Sequence, residues 1–114
     1  MAEPPTPMEQ ALAAARGARD KGEIPVGAVL CDAKGIAIAI AGNRTEQHQN
    51  PALHAEMVVL QAAAAALGRK YLTDYTLTVT LEPCAMCAGA IAAFRVRRLV
   101  FGAYDPKSGA VEHG

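Results

Sequence analysis

Two stretches of this chain have residue types and spacing that can do chemistry: His54-Ala55-Glu56 and Cys84-Ala85-Met86-Cys87. Cysteines three apart share one face of a helix and can chelate a single ion, and a histidine supplies a third donor. Glu56 lies two residues beyond His54, and in a helix interior it would point well away from it. At a helix N-terminus that objection weakens, because an ion beyond the helix end is reached by His54 with Glu56 alongside. Both stretches are expected to open helices. The unpaired N–H groups and positive dipole ends found there stabilise thiolates and a carboxylate. They also lower thiol pKa values and favour metal binding at neutral pH.

One His and two Cys make three protein ligands, His54, Cys84 and Cys87. Three ligands leave the fourth tetrahedral position of Zn²⁺ to water, the pattern of a catalytic site. Zinc lowers the pKa of such a water towards ~7. Glu56 is the expected proton shuttle, taking the proton of the water and returning it to a leaving nitrogen. The chemistry expected is hydrolytic deamination of an amidine-like ring carbon, with one zinc per chain. The set resembles the His-x-Glu…Pro-Cys-x-x-Cys signature of zinc nucleobase deaminases.

Other readings of the same residues are available. Cys84-x-x-Cys87 alone fits a thioredoxin-like redox pair, which leaves His54 and Glu56 unexplained. A closed structural zinc site in a small binding module needs a fourth ligand, and His48, His113 and Cys31 lack tight ligand spacing. Cys31 reads as a small buried hydrophobe, and His48 and His113 as solvated loop residues. Arg95, Arg97 and Arg98 form a short basic cluster: a solvated helix end, or a contact to phosphate. Met57 and Met86 read as core filler.

The elements that position these residues follow from periodicity. Thr6-Pro7-Met8-Glu9 has capping-box spacing, and Met8, Leu12, Ala15 and Ala18 recur at helical period up to a stop at Lys21-Gly22. Val26 to Cys31 reads as a buried strand, Asp32 to Gly35 as a turn, and Ile36, Ile38 and Ile40 as the large-side-chain face of a second strand. Asn50-Pro51 is expected to open a helix with Leu53, Met57, Leu60, Ala64 and Leu67 on its apolar face, ending at Gly68. Tyr75 to Thr80 alternates as a strand. Glu82-Pro83 is expected to start a helix running to about Phe94, and Arg98 to Ala103 reads as a fourth strand. The order α, β, β, α, β, α, β predicts a right-handed parallel crossover over 75–103 and a sheet with helices on both faces, in a single domain over residues 1–114.

Composition narrows the class. The 114 residues are 52% hydrophobic, with eleven basic and eleven acidic side chains. Zero net charge excludes a generally basic nucleic-acid coat but not a local patch. Three Tyr, two Phe and no Trp argue against an aromatic platform for single strands. No stretch approaches a membrane span, and the N-terminus lacks the layout of a secretion signal, so a cytoplasmic protein is expected. Three cysteines are too few and too odd for a disulfide scaffold.

With those motifs in place, the sequence resembles bacterial tRNA-specific adenosine deaminases from about Glu23 to Ala110. The matching segments are Ile24 to Leu30, Gly42-Asn43-Arg44, His54-Ala55-Glu56, Thr78 to Ala90 and Val100 to Ala103. The pattern Phe-Gly-Ala-x-Asp-x-Lys-x-Gly-Ala over 101–110 separates that family from guanine and cytosine deaminases on the same fold, the alternative reading. The resemblance implies a cytidine deaminase-like three-layer α/β/α sandwich, a homodimer, and conversion of the wobble adenosine of a tRNA anticodon loop to inosine. It implies that Asn43 hydrogen-bonds the flipped nucleoside, that Val26 walls the pocket, and that the backbone N–H of Ala55 faces the base. Lys107, Arg95, Arg97 and Arg98 are the candidates for RNA contact. Tyr104 departs from the basic residue expected before Asp105. The fifth strand and C-terminal helix of the family are expected to be missing from these 114 residues.

Overall fold

The structure is a computed structural model that describes residues 3–103, 109 and 111. In chain order the elements are α1 (Pro7–Asp20), β1 (Gly27–Cys31), β2 (Ala37–Gly42), α2 (Ala55–Leu67), β3 (Thr76–Leu81), α3 (Ala85–Ala93) and β4 (Arg98–Ala103). The strands form one mixed sheet in the order β2-β1-β3-β4. β1 pairs antiparallel with both β2 and β3, and β3 pairs parallel with β4. The parallel pairing of β3 with β4 and the seven-element order are as the sequence predicts.

Side chains of β1 alternate between two cores, which makes the sheet the middle of three layers. Val29 and Cys31 face Ala11 of α1, so Cys31 is the small buried hydrophobe expected. Ala28 and Leu30 face the larger core, built with Leu77 and Val79 of β3, Ala55, Val59, Leu60 and Ala63 of α2, and Ile91 of α3. Burying apolar area of this kind at roughly 25 cal/mol per Å² is the main force holding helices to the sheet.

The buried face of α1 is narrower than its periodicity suggests. Ala11, Ala15 and Ala18 are buried, whereas Leu12 is 41% exposed. The cause lies in the sheet beneath. A Cβ on Gly27 would overlap the Ala11 carbonyl, and one on Gly42 would come within 2.7 Å of the Ala14 carbonyl oxygen. α1 therefore rests on strand backbone, and only alanine fits between. The expected Ile face of β2 is likewise incomplete. Ile38 packs on the core, but Ile36 and Ile40 are exposed because β2 is an edge strand.

α2 and α3 begin later than expected. Asn50 Oδ1 accepts the Ala52 N–H at 2.9 Å, so Asn50-Pro51 builds a local turn and the helix opens at Ala55. The face of α2 turns with that start: Ala55, Glu56, Val59, Leu60 and Ala63 are buried, while Met57, Ala64 and Leu67 are half-buried. Glu82 is still bonded to the sheet through its N–H to the Ala103 carbonyl at 2.8 Å, so α3 starts only at Ala85. Met86 is not core filler, because it faces out at 39% exposure.

Candidate metal centre and its cleft

The topology brings five chain segments to one end of the sheet. Gly27 pairs with Gly42 and Ala28 pairs with Val79, so the entry of β1, the exit of β2 and the exit of β3 lie together. The N-termini of α2 and α3 meet them there. His54 is the N-cap of α2 and Cys84 the N-cap of α3, both with extended backbone and neither using its side chain as a cap. The ring and the thiol are therefore available to each other. His54 Nδ1 lies 3.6 Å from Cys84 Sγ and 3.6 Å from Cys87 Sγ.

Those spacings fit zinc. Tetrahedral bonds of about 2.3 Å to sulfur and 2.0–2.1 Å to nitrogen place N and S about 3.6 Å apart. The three donor atoms lie within 4.8 Å of one another, and among the described residues no fourth His, Cys or carboxylate joins them. Cys31 is in the α1-side core and His48 is on an exposed loop; His113 lies outside the described residues.

Glu56 is the second residue of α2 and only 3% exposed. Its Oε1 is buried without a hydrogen-bond partner. Burial pushes its carboxyl pKa upward, against weaker downward effects from its own N–H, His54 and Cys87. Burial also pushes the Cys87 thiol up, reinforced by the negative charges of Glu56 and Cys84. Two thiols and a carboxylate packed into one dry corner repel each other once ionised. A divalent cation removes that repulsion, so the donor set suits a metal as well as its spacing does.

Beside the donors lies a cavity of about 180 Å³ lined by Val26, Asn43, His54, Glu56, Glu82 and Cys84, with Ile24 and Leu81. Val26 is one of its walls. Asn43 is buried, donates its N–H to the Val26 carbonyl at 3.1 Å, and through Oδ1 accepts the Ala55 N–H at 2.8 Å. The Ala55 N–H, expected to face a base, here donates to Asn43. That group is the first unpaired donor of α2, His54 does not cap it, and Asn43 does. With Oδ1 engaged, the amide nitrogen of Asn43 is what it presents to the cleft.

Sequence reasoning missed Glu23. This buried carboxylate accepts the Glu46 N–H at 3.0 Å, the Gln47 N–H at 2.8 Å and the Thr45 hydroxyl at 3.3 Å. It ties down the loop leading to His54. Burial alone would raise its pKa, but these hydrogen bonds together hold it below the usual carboxylate range. Glu82 was read only as a helix start. Its place on the cleft wall depends on long-range pairing that no local pattern announces.

The basic cluster is elsewhere. Arg98 pairs with Thr76 at the opposite end of β3 from Glu82. Six strand residues separate the two ends, roughly 17–20 Å. The Arg95 guanidinium stacks 4.0 Å from the centre of the Tyr71 ring, and Arg97 and Arg98 are exposed. Lys107 and Tyr104 lie outside the described residues.

The cytidine and deoxycytidylate deaminase zinc-binding region matches residues 2–103. The chain belongs to this deaminase family. Its relatives within the family include the tRNA-specific adenosine deaminase of Agrobacterium fabrum, 51% identical over 107 residues, spanning 94% of this chain and 70% of that protein. The fold superposes at TM-score 0.92 and 51% identity on a solved structure from work on A-to-I editing by tRNA:A34 deaminases at the wobble position, over 95% of this chain and 78% of that one. A guanine deaminase from Bacillus subtilis is more distant within the same fold, with TM-score 0.82 and 31% identity over 86% of this chain and 62% of that one. Among the described residues no helix is long and apolar enough to cross a membrane.

Proposed function

We propose that this chain converts the wobble adenosine of a tRNA anticodon loop to inosine. The observation that carries the reading is the His54, Cys84 and Cys87 triangle with the buried Glu56 carboxylate beside it, its Oε1 without a partner. It occurs in a chain half identical to tRNA-specific adenosine deaminases. His54, Cys84 and Cys87 would hold one zinc ion per chain. Zinc bound there supplies a water that loses its proton near neutral pH.

The protein groups do the rest. Glu56 takes the proton of the water and passes it to the departing nitrogen, so the C6–N bond of adenine breaks, a C6–O bond forms, and ammonia leaves. A carboxyl whose pKa is raised by burial can hold that proton between the two transfers. Val26 flanks the base and the Asn43 amide nitrogen donates to an acceptor on the nucleoside. An anticodon loop suits so small a cleft, because its nucleotides are splayed and cheap to flip. The flanking nucleotides add binding energy that a free nucleoside lacks. Lys107, outside the described residues, is a candidate phosphate contact. Arg95, Arg97 and Arg98 stand at the far end of the sheet and could reach only RNA that extends beyond the loop.

Two further parts belong to the same reading. The chain works as a homodimer, with the exposed small residues Ala85, Gly89, Ala92 and Ala93 of α3 permitting close approach, and it works in the cytoplasm, where its substrate is. The second reading, a guanine or cytosine deaminase, is favoured by the likeness to the guanine deaminase structure. Salt dependence separates the two. Turnover of a stem-loop should fall steeply as salt rises, since phosphate contacts release counterions. Turnover of a neutral free base should hardly change. A stem-loop rate indifferent to salt contradicts the tRNA reading.

A further inference from the structure

Glu82 is 3% exposed, yet it is neither in the donor triangle nor the shuttle. A carboxylate in that position needs partners, because burying an uncompensated charge is costly. One partner is the Val111 backbone N–H, 3.0 Å from Glu82 Oε2. Such a bond to an ionised acceptor is among the stronger ones. Close by, Gly109 forms an antiparallel bridge with Cys84. Chain that follows β4 therefore comes back to the very residues that line the cleft, and is tied there twice. Glu82 and Cys84 both line that cleft, so Gly109 and Val111 are each paired to a residue of its wall.

We propose that Glu82 is a positioning residue: its carboxylate anchors the returning chain at Val111 against the cleft wall and thereby sets how tightly substrate is held. A backbone N–H is a partner whatever side chain occupies position 111, so the anchor fixes the path of the chain rather than one contact. The statement about substrate rests on the tRNA reading, whereas the anchor itself does not.

The test uses Glu82→Ala, which removes the acceptor, and Glu82→Gln, which keeps a carbonyl oxygen for Val111. Three quantities are measured: amide hydrogen exchange at Val111, zinc per chain, and KM and kcat on an anticodon stem-loop. In Glu82→Ala, exchange at Val111 should accelerate roughly tenfold or more, the lower end of what a hydrogen bond to a charged group is worth. Zinc should stay at one per chain, and KM should rise by a larger factor than kcat falls. Glu82→Gln should restore most of both effects. Unchanged exchange at Val111 in Glu82→Ala overturns the anchor. Faster exchange with KM unmoved and kcat alone reduced overturns its link to substrate holding. If the wild type ignores the stem-loop, the tRNA reading fails, and the exchange measurement still decides the anchor.

Discussion

Asn43 Oδ1 accepts the Ala55 backbone N–H at 2.8 Å, so one side chain both caps α2 and lines the cleft. The cap fixes which end of the amide is which. Oxygen faces the helix, which leaves nitrogen as the group proposed to reach substrate. Helix cap and proposed substrate donor are thus one side chain, and the two roles separate by mutation.

Asn43→Ala should lose about 1–3 kcal/mol of stability, since a cap is lost and a buried N–H is orphaned. Asn43→Asp keeps an acceptor for Ala55 but offers the cleft no donor and adds a carboxylate near Glu56 and Glu82. In urea unfolding it should lose stability through that charge rather than through the cap, so that the loss shrinks when zinc is bound, and it should show a raised KM. If Asn43→Asp binds substrate like the wild type, the amide nitrogen is not a substrate contact.

Cys87→Ser should strip the metal. Cys87 is fully buried between its His54 and Cys84 partners, and a metal there ties the starts of α2 and α3 together. Zinc analysis of the purified variant should read far below one ion per chain, and thermal unfolding should come earlier. Full zinc content would remove Cys87 from the ligand set.

Much of this was legible in the sequence, and the misses share a cause. The seven elements, their order and the parallel crossover follow from period and turn chemistry, and the motif spacing pointed to His54, Cys84 and Cys87, which the fold gathers beside Glu56. The face of α1 did not follow, because Leu12 is displaced by Gly27 and Gly42, which lie far along the chain. The start of α2 did not either. Asn50-Pro51 carries a genuine turn signal that a helix start would share, and only the Asn43 cap, twelve residues before Ala55, selects the later start. Glu23 and Glu82 were invisible as anchors, because a carboxylate beside a strand gives no hint of which backbone N–H groups it will meet.

Glu56→Ala should keep zinc and fold but lose turnover. General acid–base catalysis is worth typically 10²–10⁴-fold, and the variant should fall by at least about that much. Metal analysis with single-turnover kinetics checks both halves. A variant that retains most of the wild-type rate places the proton shuttle elsewhere.

Glu23 provides a test against pH. Its pKa is lowered in the fold, so its contribution is present above the unfolded carboxyl pKa and is lost as pH falls through the lower folded value. Glu23→Gln should therefore be less stable than the wild type at neutral pH, with the gap closing in acid. Urea midpoints across that range give the comparison directly, and a gap that widens on acidification would reverse the sign of the account.

The central claim is tested most directly by inosine formation. The zinc-loaded chain is given an anticodon stem-loop with adenosine at the wobble position, and in parallel free adenosine, guanine and cytosine. The predicted result is inosine at the wobble position alone, with kcat/KM on the stem-loop far above that on any free base or nucleoside. Efficient turnover of guanine or cytosine with the stem-loop untouched would contradict it.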